Sequence, residues 1–182
     1  MEFPLVGIDL CLRPWQENDA IAFQEAALES SRTVGQWMNW CHANYNLQEA
    51  HDWITACQRT LQEGSAYELG IFSGDGLVLY GGVGINLINR MHNYANIGYW
   101  VRENRQQQGI ALDAVRLALE FGLQELQLQR LEIVVAETNL ASRKLAEKVG
   151  GKFEGILRNR LLISGVTHPA AMYSVIPHEQ HQ

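Results

Sequence analysis

Asn96-Ile97-Gly98-Tyr99-Trp100-Val101 and, after four residues, Gln106-Gln107-Gln108-Gly109-Ile110-Ala111 form the stretch whose reading decides the fold. The first six residues read as a strand. From Ile110 to Leu123 the apolar residues recur at helical spacing,. A strand, a polar turn with Gly and a helix start build a cup of backbone N–H groups. The first N–H groups of a helix have no partner inside it, and the helix dipole adds partial positive charge there. Such a cup suits a pyrophosphate. A side chain at position 109 would crowd the ligand, so Gly serves. The stretch is neither a Walker lysine loop nor a three-glycine dinucleotide fingerprint. A plain polar strand-to-helix turn is the alternative reading.

Outward from that turn, strands and helices alternate. Val6 to Arg13 alternates apolar and polar residues as one strand. Asp19 caps a helix to about Ser30, and Asn46 or Leu47 opens a second that ends near Gly64,. Tyr67–Phe72 and Val78–Leu87 form a hairpin around Ser73-Gly74-Asp75-Gly76. Ala95–Val101 is the fourth strand. The helix over 110–124 gathers Ala114, Val115, Ala118, Leu119 and Gly122 on one face. Arg130–Ala136 is apolar throughout, as a central buried strand is. Asn139 or Thr138 caps a helix to Val149, closed by Gly150-Gly151. Phe153–Leu162 and His168–Ile176 are late strands joined at Ser164-Gly165. Positions 177–182 read as a frayed tail, and their His178 and His181 do not form a zincin motif.

The 182 residues fit a single domain spanning 1–182, and 47% hydrophobic content can fill a core,. A formal charge of −6 without a basic run disfavours nucleic-acid binding,. No run of 18 apolar residues suggests a membrane span. Met1-Glu2-Phe3-Pro4 does not open a signal peptide. Cys11, Cys41 and Cys57 lack metal or redox spacing, and their odd number points to a reducing cytoplasm,.

The order Gln-x-x-Gly-x-Ala after Gly98-Tyr99-Trp100 resembles the acyl-CoA loop of the GNAT N-acetyltransferases. With Leu10-Cys-Leu-Arg13-Pro, Glu137-Thr-Asn139-Leu-Ala-Ser142, Phe153-Glu154-Gly155-Ile-Leu-Arg158 and Met172-Tyr173-Ser174, the chain resembles the Rim-type ribosomal-protein members over nearly its whole length. The resemblance implies an α+β, three-layer fold. Its sheet of about seven strands is mixed, mostly antiparallel, with helices on both faces. It implies acetyl-CoA as co-substrate, no metal, and an amine acceptor that attacks the thioester directly. The acceptor is then a protein N-terminus, as on a ribosomal protein; a small-molecule amine and a non-catalytic acyl-CoA-binding module are the alternatives. A monomer or a homodimer fits equally.

The resemblance also assigns residues. Gln106, Gln107, Gln108, Gly109, Ile110 and Ala111 hold the diphosphate. The main chain of Tyr99, Trp100 and Val101, on a strand splayed from its neighbour, meets the pantetheine arm, and the N–H of Tyr99 or Trp100 polarises the carbonyl. Asn139 and Ser142 lie one helical turn apart beside that arm. Ser142 serves the thiolate, since Ala146 stands where many members carry Tyr. Relatives often place a carboxylate before Ile-Gly-Tyr-Trp; here it is Asn96. Glu68, Glu137 and Glu154 remain as proton acceptors, and Glu137 at the fifth strand's end is best placed, with an ordered water as the alternative. A free α-amine has a pKa of ~8, whereas a lysine near ~10.4 needs about 4 kcal/mol more help to be neutral, which favours an α-amine acceptor. Trp40, Asn44 and Tyr45 read as the wall of the acceptor groove, while Met38 and Trp53 read as core.

Overall fold

A computed structural model of the chain describes residues 2–177. The expected frayed tail, apart from Pro177, and both tail histidines lie outside the described residues. The elements are β1 (Leu5–Val6), β2 (Leu10–Pro14), α1 (Ala20–Glu29), α2 (Leu47–Glu63), β3 (Tyr67–Ser73) and β4 (Leu79–Asn89). They continue with β5 (Tyr94–Val101), α3 (Ile110–Glu120), β6 (Arg130–Ala136), α4 (Leu140–Lys148), β7 (Lys152–Ile163) and β8 (Val166–Val175). The strands form an eight-stranded sheet in the order β1-β2-β3-β4-β5-β6-β8-β7. Every pairing is antiparallel except β5 with β6. The eighth strand arises because the expected Val6–Arg13 strand is a small hairpin: the Gly7 N–H donates to the Leu10 carbonyl at 2.8 Å and turns the chain back.

Local chemistry explains the helix ends nearest the site. The Asn46 side chain accepts from the Glu49 N–H at 3.1 Å while Glu49 accepts from the Asn46 N–H at 2.8 Å, a reciprocal capping box,. This fixes where α2 starts and which way Glu49 and Asp52 point. At α4 the Asn139 side chain accepts from the Ser142 N–H at 3.2 Å,. Asn139 is thus the cap, and Ser142 sits on the first turn that it orders.

Two apolar layers flank the sheet. One packs Ile97, Val115, Leu119, Leu131, Ile133 and Tyr173 between the sheet and α3 and α4. The other packs Phe23, Tyr45, Ile54 and Phe72 beneath α1 and α2. At about 1.5–3 kcal/mol for each fully buried large side chain, these layers dominate the folding energy.

The parallel pairing of β5 with β6 is short. It covers Tyr94↔Arg130, Ala95↔Leu131 and Asn96↔Glu132, after which β5 runs on to Val101 and β6 to Ala136 without pairing each other. The sheet opens there into a V, the splay expected between the fourth and fifth strands of the sequence reading.

Candidate active site

The turn before α3 is braced from behind. Glu29, the last residue of α1, accepts from Arg102 Nη2 at 2.5 Å, the Asn104 N–H at 2.9 Å and Asn104 Nδ2 at 3.1 Å. The Arg102 hydrogen bond holds the Glu29 carboxyl below the usual carboxylate range. Gln106 turns its amide inward, donating to the Val101 carbonyl at 3.0 Å, and Gln108 donates to the Asn104 carbonyl at 3.1 Å. These glutamines shape the turn with their side chains. Gly109 is the N-cap of α3 with φ 82°, and no side chain caps the helix. A Cβ at Gly109 would meet no protein atom within 4 Å, so the protein itself requires glycine for its backbone angle rather than for room,. The first-turn amides of α3, Ile110 and Ala111 among them, are therefore left to a ligand or to water.

The V between β5 and β6 exposes main chain by strand alternation. The Arg102 N–H donates to the Tyr80 carbonyl at 2.8 Å, and the register continues through Trp100↔Gly82 and Gly98↔Gly84. Alternate residues face opposite neighbours. Trp100 and Gly98 therefore turn their main chain toward β4, while Val101, Tyr99 and Ile97 turn theirs toward the V. Of the two amides expected to polarise a carbonyl, that of Tyr99 faces the V; Trp100's is taken up by β4. Across the V, the Tyr99 hydroxyl and Ser142 Oγ share a hydrogen bond of 2.7 Å. Burial pushes the Tyr99 phenol up to about 12. Ala146, one turn beyond Ser142, is fully buried.

On the opposite face of β5 lies a cavity of about 610 Å³. Its walls include Phe23, Met38, Trp40, Tyr45, Trp53 and Trp100. The rings of Phe23, Trp40, Tyr45 and Trp100 interlock, with Trp40 and Trp100 edge to face at 5.1 Å,. Three carboxylates, Glu49, Asp52 and Glu68, also line it, and no Lys, Arg or His does. Glu68 lies deepest: burial pushes its carboxyl up, opposed in part by a 2.8 Å hydrogen bond from Asn86 Nδ2.

The expected site residues divide between these places. Trp40 and Tyr45 line the cavity; Asn44 is exposed and does not. Met38 and Trp53, read from sequence as core, line it as well. Glu137 is not among the lining residues; its main chain is held at the end of β6 by the Pro169 carbonyl and by Arg143. Glu154 is gripped by Arg130 at 2.7 and 2.5 Å, and the guanidinium holds its carboxyl down at about 2. A carboxylate so stabilised as the anion is a poor proton acceptor. Cys41 is buried, its thiol pushed up to about 11, while the neighbouring His42 faces Glu49 instead. Among the described residues no group of three or more His, Cys, Asp or Glu could hold a metal, and no helix is long and apolar enough to cross a membrane.

Comparison with known families decides what this arrangement serves. The model of the acetyltransferase (GNAT) domain matches residues 9–152. The chain belongs to the GNAT acetyltransferase family. It is accordingly an acetyl-CoA-dependent N-acetyltransferase, and the uncapped turn at Gly109 together with the open V suits that co-substrate. Among GNAT relatives, the chain is 31% identical to the probable N-acetyltransferase YjcK of Bacillus subtilis, over 98% of this chain and 99% of that one. It is 25% identical to the ribosomal-protein-serine acetyltransferase of Escherichia coli, over 94% of each. The structure of Mycobacterium smegmatis RimJ in complex with CoA-disulfide superposes with a TM-score of 0.87 at 25% identity, covering 98% of this chain and 86% of that one.

Proposed function

We propose that this GNAT acetylates the α-amine of a protein N-terminus, of the kind that a ribosomal-protein acetyltransferase takes. The observation that carries the reading is the position of β5. One edge of that strand borders the V that leads from the anion-binding turn, and one face floors an aromatic cavity wide enough for a chain end. The proposed roles follow. The first-turn amides of α3, with Gln107, Gln108 and Gly109 shaping the approach, hold the diphosphate. The main chain of Tyr99 and Val101 meets the pantetheine arm, and the Tyr99 N–H polarises the thioester carbonyl. Ser142, aligned by Asn139 and Tyr99, stands by the departing sulfur. Attack is direct: among the described residues no Ser, Thr or Cys lines the cavity, all three thiols are buried, and Ser142 Oγ is engaged by the Tyr99 hydroxyl.

An α-amine is the economical acceptor: near neutral pH a substantial minority is already unprotonated. A second reading rests on the three lining carboxylates without a lining cation, which also suit a small polycationic amine. Thiol release from acetyl-CoA separates the two. Peptides with a free α-amine, α-blocked lysine peptides and polyamines are compared at equal concentration. The proposal expects kcat/KM for free-α-amine peptides to exceed the others by about tenfold or more, or about 1.4 kcal/mol. Preference for the polyamine by the same margin overturns it in favour of the second reading.

A further inference from the structure

We propose that Glu68 takes the proton from the acceptor amine, and that two strand glycines and an asparagine pair place its carboxylate to do so. This rests on the acceptor reading of the cavity given above. Glu68 pairs with Gly84 on β4, and Gly84 pairs with Gly98 on β5. The three residues form a row across the cavity floor. A Cβ at Gly84 would lie 1.8 Å from Glu68 Oε2 and 2.4 Å from Cδ. The carboxylate therefore occupies the space that any other residue at 84 would fill. At Gly98 the nearest atoms to such a Cβ are Nδ2 of Asn86 and of Asn96, at 3.9 and 4.0 Å, so the row stays open as far as β5. Neighbouring strands lie about 4.8 Å apart, which puts the carboxylate one strand spacing from Gly98 and from the main chain of Tyr99 beside it.

One oxygen is fixed and one is left. Asn86 Nδ2 donates to Glu68 Oε1 at 2.8 Å, and Asn96 Nδ2 donates to Asn86 Oδ1 at 2.9 Å. Oε2 accepts no hydrogen bond from the described residues. The other two carboxylates of the cavity are engaged: Glu49 binds His42 and caps α2, and Asp52 accepts from Gln48. Glu68 also has the basicity for the task. Burial raises its proton affinity, and a base poised nearer the working pH is the more effective. The titratable groups facing it are Glu49, Asp52 and Cys57 of α2 and Tyr45 before α2; the Tyr99 phenol points across the other face to Ser142. Asn96, which donates to Asn86, becomes a positioning residue here.

The protons balance. The acceptor arrives as an ammonium, and Oε2 removes one proton. The neutral nitrogen forms the C–N bond as the C–S bond breaks. Its second proton passes to the leaving sulfur through the Ser142–Tyr99 hydroxyls. Glu68 then releases its proton to water, so each turnover frees one proton.

The test follows rates from pH 6 to 9.5 on the best acceptor, with acetyl-CoA affinity measured in parallel by calorimetry. Glu68→Gln is expected to lower kcat at pH 7 about 100-fold or more, with acetyl-CoA affinity within about twofold. Its rate should then climb about tenfold per pH unit below the amine's pKa of ~8, as the free amine accumulates, and level off above it. Gly84→Ala, which leaves Glu68 in the chain but displaces its carboxylate, should lose activity in the same way. Asn86→Ala should move the acid limb of the profile to higher pH. A Glu68→Gln enzyme within about threefold of wild type with an unchanged profile overturns the proposal, as does an unmoved acid limb in Asn86→Ala. Carboxyl 13C NMR of the protein without acceptor gives an independent readout: Glu68 should titrate above the ordinary carboxylate range, and higher still in Asn86→Ala. An ordinary titration overturns the assignment. A wild type silent on every amine, with that NMR shift present, instead removes the acceptor reading.

Discussion

The hydroxyl of Tyr99 on β5 lies 2.7 Å from Oγ of Ser142 on α4. The bond spans the V where β5 and β6 part, and it joins the strand whose main chain faces the V to the first turn of α4, beside which the proposed reading puts the thiol. Because burial pushes the phenol up to about 12, Tyr99 stays protonated throughout any working pH. The pair can therefore relay a proton to the sulfur but not hold one taken from the amine as a resident base.

Ser142→Ala is expected to lower kcat about tenfold while acetyl-CoA affinity stays within about twofold. The loss is modest because a thiol with pKa near ~8.5 leaves readily even unprotonated. Tyr99→Phe should act through the same step, so the double variant should be no slower than the slower single one. Additive losses in steady-state kinetics would separate the two residues. Equal losses of kcat and affinity would make Ser142 a binding residue.

At Gly109 a tryptophan should remove acetyl-CoA binding, with affinity falling about 100-fold or more, or about 2.7 kcal/mol. Far-ultraviolet circular dichroism should be unchanged, because a Cβ there meets no protein atom within 4 Å and the strain at the left-handed φ is only about 1–2 kcal/mol. Gly109→Ala should cost about 1 kcal/mol of stability through its left-handed φ. Calorimetry showing wild-type affinity in the tryptophan variant counts against the diphosphate site.

Glu68 should be a burden on the fold. Its carboxyl is raised by burial, so the folded state binds the proton more tightly than the unfolded one. Stability is then highest below the unfolded value and falls as pH rises through the folded one. Glu68→Gln keeps an acceptor for Asn86 and discards the charge. Its melting temperature should exceed that of wild type at pH 8 and match it near pH 4. A chain of this size gains about 2–4 °C per kcal/mol. Equal melting at both pH values contradicts the buried charge.

Arg130 and Glu154 give the opposite slope. Arg130 on β6 forks onto Glu154 on β7, which also accepts from Ser174 Oγ on the intervening β8 at 2.6 Å. The guanidinium lowers the Glu154 carboxyl to about 2. A depressed carboxyl adds stability above its unfolded value and loses it as pH falls toward the folded one. The Glu154 side chain is 38% exposed, so solvent screening limits the pair to about 1 kcal/mol or less. Arg130→Ala should melt a few degrees lower at pH 7, and the gap should shrink between about pH 5 and pH 2. A constant gap in melting scans would assign the loss to packing.

Much of this fold could be read from local signals. Asn46 with Glu49 announces α2. The glutamine turn before Ile110 announces α3, and Ser164-Gly165, with φ 50° and 78°, makes the two-residue turn between β7 and β8,. The β1–β2 split was hidden because the apolar alternation runs on through Gly7. The uncapped turn before α3 and the V were legible because they depend on neighbours in sequence. In the sequence Glu68 ranks behind Glu137, since its meaning depends on register: only the pairing 68↔84↔98 shows a carboxylate lying over one glycine and facing another. The available signal was a run of glycines inside strands, which marks close approach to a neighbour or ligand. Met38 and Trp53 were misplaced because apolar side chains look alike whether they fill a core or wall a cavity.

The most direct test is a 15N-edited amide titration of the protein with CoA. The largest shifts are expected at Gln108, Gly109, Ile110 and Ala111, with a second group at Ile97, Tyr99 and Val101 along the V. Shifts gathered elsewhere, with the Gly109–Ala111 amides unmoved at saturation, would contradict the assignment of the α3 N-terminus as the diphosphate site.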